Sequence, residues 1–393
     1  MPPDDRRKAI LDDVKAVLAK AAARVGEFDE RGGITTELYE ELEATRIFQA
    51  LTPRIYGGLE MSLADVNEAL VAGGKVSGSV GWVMMIHVQQ SLGLGTFPKE
   101  TGLKILREHP HVRIRGVAAP KGTAVPTEGG YVVSGQWPFA SGGPDPDFVA
   151  GNCVVMENGA PRIGAHGIPE LILVWVPAAQ VEFLDTWHVL GLRGTNSCDF
   201  RFRDVFVPKE MSAELFTGRN FFETAPARLP VRVVLSPSHA AVAIGIAEGA
   251  LEELKALAMT KRAAMNPNAR LVDDPLFRHA LGSCAIRLAA ARAFLDRTTG
   301  DLETAAALGR RLTPAEIMQG RALTAHVTSE CIAIVEKAFR LAGSTSVYNT
   351  CPLERRLRDI YVAGQHISAF EEIYRALGTV LLGQELSQFE LLF

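Results

Sequence analysis

The sequence predicts an α+β protein with its elements in segregated blocks: an N-terminal α-helical domain over residues 1–111, a middle antiparallel β domain over 112–212, and a C-terminal four-helix bundle over 213–393. Three observations carry that prediction. Apolar residues near the N-terminus recur at helical spacing, the apolar period shortens to two between about 112 and 208, and beyond Pro230 one helix-opening grammar is written three times.

In the first block Ile10, Val14, Val17, Leu18, Ala21 and Val25 fall on one face of a helical repeat. Gly57-Gly58 breaks the chain, and Ser62-Leu63-Ala64-Asp65 has the form of a capping box that opens the next helix. In the second block Cys198, Phe200 and Phe202 alternate with Asp199, Arg201 and Arg203, the mark of a strand with one apolar face. The run from Leu171 to Val176 is apolar throughout and also reads as strand. In the third block Ser236-Pro237, Asp274-Pro275 and Thr313-Pro314 each set a capping side chain before a proline, whose fixed φ and missing N–H suit a first helical turn. Glu316 adds a capping-box partner to Thr313. The run from Pro314 to Ala342, stopped by Gly343, makes a rod of roughly 43 Å, and long rods joined by short turns pack as a bundle.

With 47% hydrophobic residues, 22% charged residues and a formal net charge of −4, the 393-residue chain has the composition of a soluble globular protein. It has no excess of positive charge to draw it to nucleic acid. No uninterrupted apolar run reaches the roughly 18 residues of a bilayer span, so no membrane partner is expected and a cytoplasmic location is. Five widely spaced cysteines with no C-x-x-C pair read as free thiols. His109 and His111 form an H-x-H pair with no third ligand in view, so no metal site is expected. Neither G-x-G-x-x-G nor G-x-x-x-x-G-K-[ST] occurs, which leaves the phosphates of NAD or ATP without a glycine cradle.

Chemistry concentrates in two segments. Ser134-Gly135-Gln136-Trp137-Pro138-Phe139-Ala140-Ser141-Gly142-Gly143 sets two aromatics and a hydroxyl at a strand end, an arrangement suited to a flat redox ring and equally to an ordinary strand ending in a Ser-Gly turn. Far along the chain, Arg358-Asp359-Ile360-Tyr361-Val362-Ala363-Gly364-Gln365-His366-Ile367-Ser368 carries a histidine beyond a charged turn. His87 sits in an apolar run, where a histidine is either a base or a hydrogen-bonded core residue. Arg193-Gly194-Thr195-Asn196-Ser197 collects a cation and hydroxyls in one turn, which reads equally as a phosphate or ring-oxygen site and as a polar turn between strands. Glu354-Arg355-Arg356-Leu357-Arg358-Asp359 reads as a salt-bridged helix entry, and Arg228 and Arg232 stand where they could face a substrate anion.

The order of helices, sheet and bundle, together with Asp185-Thr186-Trp187-His188-Val189-Leu190-Gly191-Leu192-Arg193-Gly194-Thr195-Asn196-Ser197 and Val205-Phe206-Val207-Pro208, resembles the acyl-CoA dehydrogenase superfamily along nearly the whole chain. Within it, residues 134–142 and Gln365-His366-Ile367-Ser368 resemble the oxygenase components of two-component flavin-dependent monooxygenases, such as 4-hydroxyphenylacetate and steroid-phenol hydroxylases and dibenzothiophene monooxygenase. The dehydrogenases carry Thr-Glu-Pro-x-x-Gly-Ser-Asp where this chain has Ala119-Pro120-Lys121-Gly122-Thr123-Ala124. Many also carry a catalytic glutamate where it has Ile367, although Glu371 and Glu372 lie a turn further on.

The resemblance implies reduced FMN or FAD delivered by a separate NAD(P)H:flavin reductase, O2 as co-substrate, a C4a-hydroperoxyflavin, hydroxylation of an aromatic or phenolic substrate, and a homotetramer. It implies catalytic roles for His87 on the substrate side, for Ser141 at flavin N5 and for His366 near the activated oxygen. Cofactor contacts are implied at Trp137, Phe139, Ser141, Gly142, Arg193, Thr195, Ser197 and Arg262. The alternatives are an FAD-dependent acyl-CoA dehydrogenase, an N- or S-oxygenating member, and an inactive flavin-binding paralogue.

Overall fold

A computed structural model describes residues 3–164, 167–215, 220–263, 266–387 and 390–391. Six helices come first: α1 Pro3–Ala21, α2 Val25–Arg31, α3 Thr36–Ala44, α4 Leu63–Val76, α5 Gly78–Gly93 and α6 Lys99–Glu108. Ser62 caps α4 as expected, its hydroxyl accepting from Asp65 N at 3.1 Å. The sheet follows with β1 Ile114–Thr127, β2 Gly130–Trp137, β3 Phe148–Glu157, β4 Ala160–Pro161, β5 Leu171–Pro177, β6 Glu182–Leu184, β7 Asp199–Pro208 and β8 Ser212–Glu214. Last come α7 Val231–Thr260, the short pair β9 Arg262–Ala263 and β10 Asn266–Arg270, α8 Pro275–Ala307, α9 Pro314–Leu341, α10 Pro352–Ala363 and α11 Glu372–Leu381.

Three details differ from the sequence reading. The sheet, in the order β6-β7-β2-β1-β3-β5-β8 with β4 paired to β3, is antiparallel except at its centre, where β1 and β3 run parallel. Strand β8 crosses the boundary expected between residues 212 and 213. Pro237 lies inside α7 rather than at its start. The helix opens after Pro230, and the Ser236 hydroxyl donates back to Arg232 O at 2.8 Å instead of capping. The other two starts are capped as read: Asp274 accepts from Leu276 N at 2.7 Å, and Thr313 and Glu316 close a reciprocal capping box.

The buried apolar residues form two clusters. One runs without interruption from α1–α6 into α7–α10, and the other fills the sheet around Trp137, Phe200 and Phe202. Helix α7 has the length and apolarity of a membrane span, yet 89% of that window is buried inside the protein against its helical neighbours. Its contact with α4 is close because a Cβ at Gly245 would fall 2.3 Å from Val71 O. That approach sets the first turns of α7 beside α5, and the seam between these helices and the end of the sheet is where the unusual polar residues meet.

Candidate active site

On the sheet side, the chain leaves β2 and turns back through residues 138–143. Phe139 takes a left-handed φ of 67°, a conformation that costs a non-glycine residue of order 1 kcal/mol, and its ring is 57% exposed beside Trp187, with centroids 6.2 Å apart. Arg115, buried on β1, ties this turn to the one after Arg193: Nε donates to Ala140 O at 2.8 Å and Nη2 donates to Asn196 O. Gly142 passes over that arginine with φ 153°, and a Cβ there would fall 2.7 Å from Arg115 Cγ. Behind Ser141 runs a row of buried hydroxyls. Ser141 Oγ is 2.6 Å from Ser197 Oγ, which is 2.7 Å from Thr195 Oγ1, which donates to Leu192 O at 2.8 Å.

On the helix side, Trp82 of α5 points its indole Nε1 toward Ser141 Oγ at 3.4 Å. Two imidazoles meet the same indole edge-on, His366 at 5.5 Å and His239 at 5.6 Å between centroids, and stack on each other at 4.2 Å. His366 stands at the mouth of a short 3-10 turn, where its Nδ1 accepts from Ser368 N at 3.2 Å, so the neutral ring carries its proton on Nε2. His239 is paired the opposite way: Nδ1 donates to Leu235 O at 3.2 Å, and buried Nε2 has no hydrogen-bond partner among the described residues. Burial, with Arg232 close by, pushes His239 down to about 4; burial, His239 and Arg232 together hold His366 well below the usual histidine range. Both rings are therefore neutral at physiological pH. Arg232, on the first turn of α7, is itself lowered by burial.

The charged segment before His366 is a latch. Asp359, buried and raised to about 6 chiefly by that burial, accepts from Leu192 N at 2.7 Å, and Arg358 pairs with Asp29 at 2.8 Å and donates to Leu190 O at 3.0 Å. These bonds bind α10 to the 190–195 turn and so align His366 with Ser141. Ile367 is 59% exposed, and Glu372 pairs with Arg375 at the surface.

The structure thus brings together Ser141, His366, Phe139 and Gly142, with Thr195 and Ser197 behind Ser141, and sets four other expected residues elsewhere. Trp137 belongs to the sheet core: fully buried, stacked on Phe200 at 5.1 Å, its Nε1 donating to Asn152 O at 3.0 Å. It alternates inward on β2, away from the turn that follows. His87 faces Gly143 and Tyr39, on a different side of α5 from Trp82. Five residues separate it from Trp82, about 140° around the helix, and its Nε2 accepts from Gly143 N at 3.1 Å beside the Tyr39 hydroxyl at 3.2 Å. Burial pushes it to about 3, and the cavity it touches is about 10 Å³, too small for an aromatic molecule. Thr195 and Ser197 point inward, so they back Ser141 rather than reach a phosphate. Arg193 is exposed, its Nε donating to Val189 O at 2.9 Å. Arg262 lies beyond the far end of α7, roughly 30 Å from His239 at 1.5 Å per residue.

Sequence reading missed Trp82, Arg115 and His239. The signal for His239 was the polar group within an otherwise apolar Ser236-Pro237-Ser238-His239-Ala240-Ala241, but nothing in that spacing says which side of a buried helix meets the sheet.

Residues 238–371 match the family model described as acyl-CoA dehydrogenase, C-terminal domain. Over 96% of this chain and 94% of the relative, the sequence is 28% identical to an indole-3-acetate monooxygenase of Acinetobacter baumannii. It is 23% identical to the oxygenase component of p-hydroxyphenylacetate 3-hydroxylase of the same species, over 98% and 91%. The fold superposes on the crystal structure of the HsaA monooxygenase from M. tuberculosis with a TM-score of 0.88 at 24% identity, covering 96% of this chain and 98% of that one. The chain is thus similar along nearly its whole length to monooxygenases and their oxygenase components, and residues 238–371 match the acyl-CoA dehydrogenase C-terminal domain.

Proposed function

We propose that the protein is the oxygenase half of a two-component system, taking reduced FMN or FAD from a separate NAD(P)H:flavin reductase and using O2 to hydroxylate a small aromatic molecule. The observation that carries this is the meeting of a buried hydroxyl, an indole N–H and two neutral imidazoles at one seam, beside the exposed plates of Phe139 and Trp187. That donor set fits a flavin ring, which offers flat apolar faces and a few polar edge atoms. Reduced flavin, when bound, supplies the electrons that activate oxygen. The chain's part is to hold a polar edge atom at Ser141, to keep water out with Trp82 and Phe139, and to place proton carriers. His366 Nε2–H is the donor for a departing oxygen. His239 Nε2, kept neutral, is the acceptor that orients a substrate O–H or N–H by hydrogen bonding.

Arg232, next to both imidazoles, supports a substrate with an acidic group, as do the aromatic acetates after which the two curated relatives are named. Arg262 stands too far along α7 to serve the site of its own chain, which favours a homotetramer in which another copy supplies it. A cytoplasmic location belongs to the same reading.

The test combines the protein, a flavin reductase, NADH and a panel of arylacetates, phenols and indoles, with product and hydrogen peroxide measured separately. Substrate-dependent oxygenated product at the expense of peroxide is expected. Peroxide alone with every substrate would count against the reading, and bleaching of tightly bound FAD by an acyl-CoA would replace it with the dehydrogenase.

A further inference from the structure

The hydroxyl row behind Ser141 has a direction that follows from counting protons. Leu192 O only accepts, so the one hydroxyl proton of Thr195 points to it at 2.8 Å. Ser197, 2.7 Å from Thr195 Oγ1, must then be the donor of that pair. Its proton is used there, so Ser141, 2.6 Å away, must donate to Ser197. At the other end Trp82 Nε1, which can only donate, faces Ser141 Oγ at 3.4 Å. Both ends demand the same polarity. With Thr195 1% exposed, Ser197 2% and Ser141 5%, water does not offer these hydroxyls alternative partners.

We infer that Ser197 and Thr195 are positioning residues that turn the Ser141 proton inward, so that Ser141 meets the ligand as a hydrogen-bond acceptor and the site prefers a flavin whose N5 carries hydrogen. The inference rests on the functional reading above and deepens it. Reduced flavin has N5–H and meets the Ser141 lone pair as a donor. Oxidised flavin presents a lone pair at N5, and two acceptors facing each other in a buried site repel. An oxygenase that borrows its cofactor needs that asymmetry: it takes reduced flavin from solution and lets oxidised flavin go. Thr195 and Ser197 thus act on the cofactor without touching it.

The experiment measures dissociation constants for oxidised and, anaerobically, reduced FMN and FAD by fluorescence titration. The proteins are the wild type, Ser197→Ala, Thr195→Val and Ser197→Thr. The wild type is expected to favour the reduced form. Ser197→Ala and the shape-conserving Thr195→Val release a proton toward Ser141 and should tighten oxidised flavin, cutting the preference about tenfold. That loss equals a fall of ~30 mV in the potential of the bound two-electron couple. Ser197→Thr keeps a hydroxyl and should keep the wild-type ratio. An unchanged ratio in both hydroxyl-deletion variants, or a parallel weakening of both redox forms, overturns the inference while leaving the functional reading intact. Wild-type protein that binds neither form overturns both.

Discussion

The two sides of the seam control protons by different means. On the sheet side Ser141, Ser197 and Thr195 are ordered by a chain of hydrogen bonds ending at Leu192 O, with Arg115 clamping the turns around them. No group in that row titrates near neutrality. On the helix side His239 and His366 have one fixed nitrogen each and are kept neutral by desolvation and by each other. The contrast teaches that the sheet side is a matter of geometry, insensitive to pH, whereas the helix side is a matter of dielectric and responds to it.

The sharpest way to break the sheet side is Arg115→Met. It strips the donors from Ala140 O and Asn196 O inside the protein, and each lost charged bond is worth ~1.5–3 kcal/mol, so a loss of about 3 kcal/mol is expected from the urea midpoint at constant slope. On the helix side, His366→Ala should lower hydroxylation about 100-fold, the usual weight of a positioned acid, with little change in unfolding midpoint. Rates that stay within a factor of two would remove His366 from the chemistry.

The contrast also predicts how stability changes with pH. His87, His239 and His366 have pKa values below their unfolded value, so below about pH 6.5 the unfolded chain binds more protons and stability falls as pH falls, by about 1.4 kcal/mol per unit for each of His87 and His239 down to about pH 4, with His366 adding in the same direction. Asp359 acts the other way. Its folded pKa of about 6 lies above its unfolded value, so the native state takes up a proton in the same window and offsets one histidine. Denaturation midpoints at pH 7.5 and 5 should differ by the net effect, and His239→Phe should shrink the difference. Ser197→Ala should leave it unchanged.

The smallest expected effects separate two tryptophans. Trp137→Phe should cost 1–2 kcal/mol of stability by orphaning Asn152 O and opening a gap against Phe200, with product and peroxide in wild-type proportion. Trp82→Phe removes the N–H facing Ser141 and should shift that proportion severalfold toward peroxide at nearly unchanged stability.

The block order, the cap at Ser62, the capped starts of α8 and α9 and the stop before Gly343 were legible because they depend on neighbours within one turn of chain. So were Phe139, Ser141 and Gly142, which lie in one turn at the end of a strand, and His366, placed by its resemblance. Other features were not legible because each depends on which face of an element meets a distant one. Trp137 and Phe139 are two residues apart on a chain that leaves β2 between them, one buried in the sheet and the other facing out. His87 and Trp82 share a helix that is buried all round, so apolarity could not choose between them.

By itself, the sequence determined the local grammar of helices, strands and turns, the absence of a glutamate at position 367, and a strand-end turn rich in small and aromatic residues. Only the tertiary structure decided that α7 passes close enough to α4 and α5 to lay His239 under His366, and that Arg115 joins the turns at Ala140 and Asn196, which are distant along the chain. Hydrogen-bond polarity and desolvation are properties of neighbourhoods in space, and the residues that create them here are far apart along the chain.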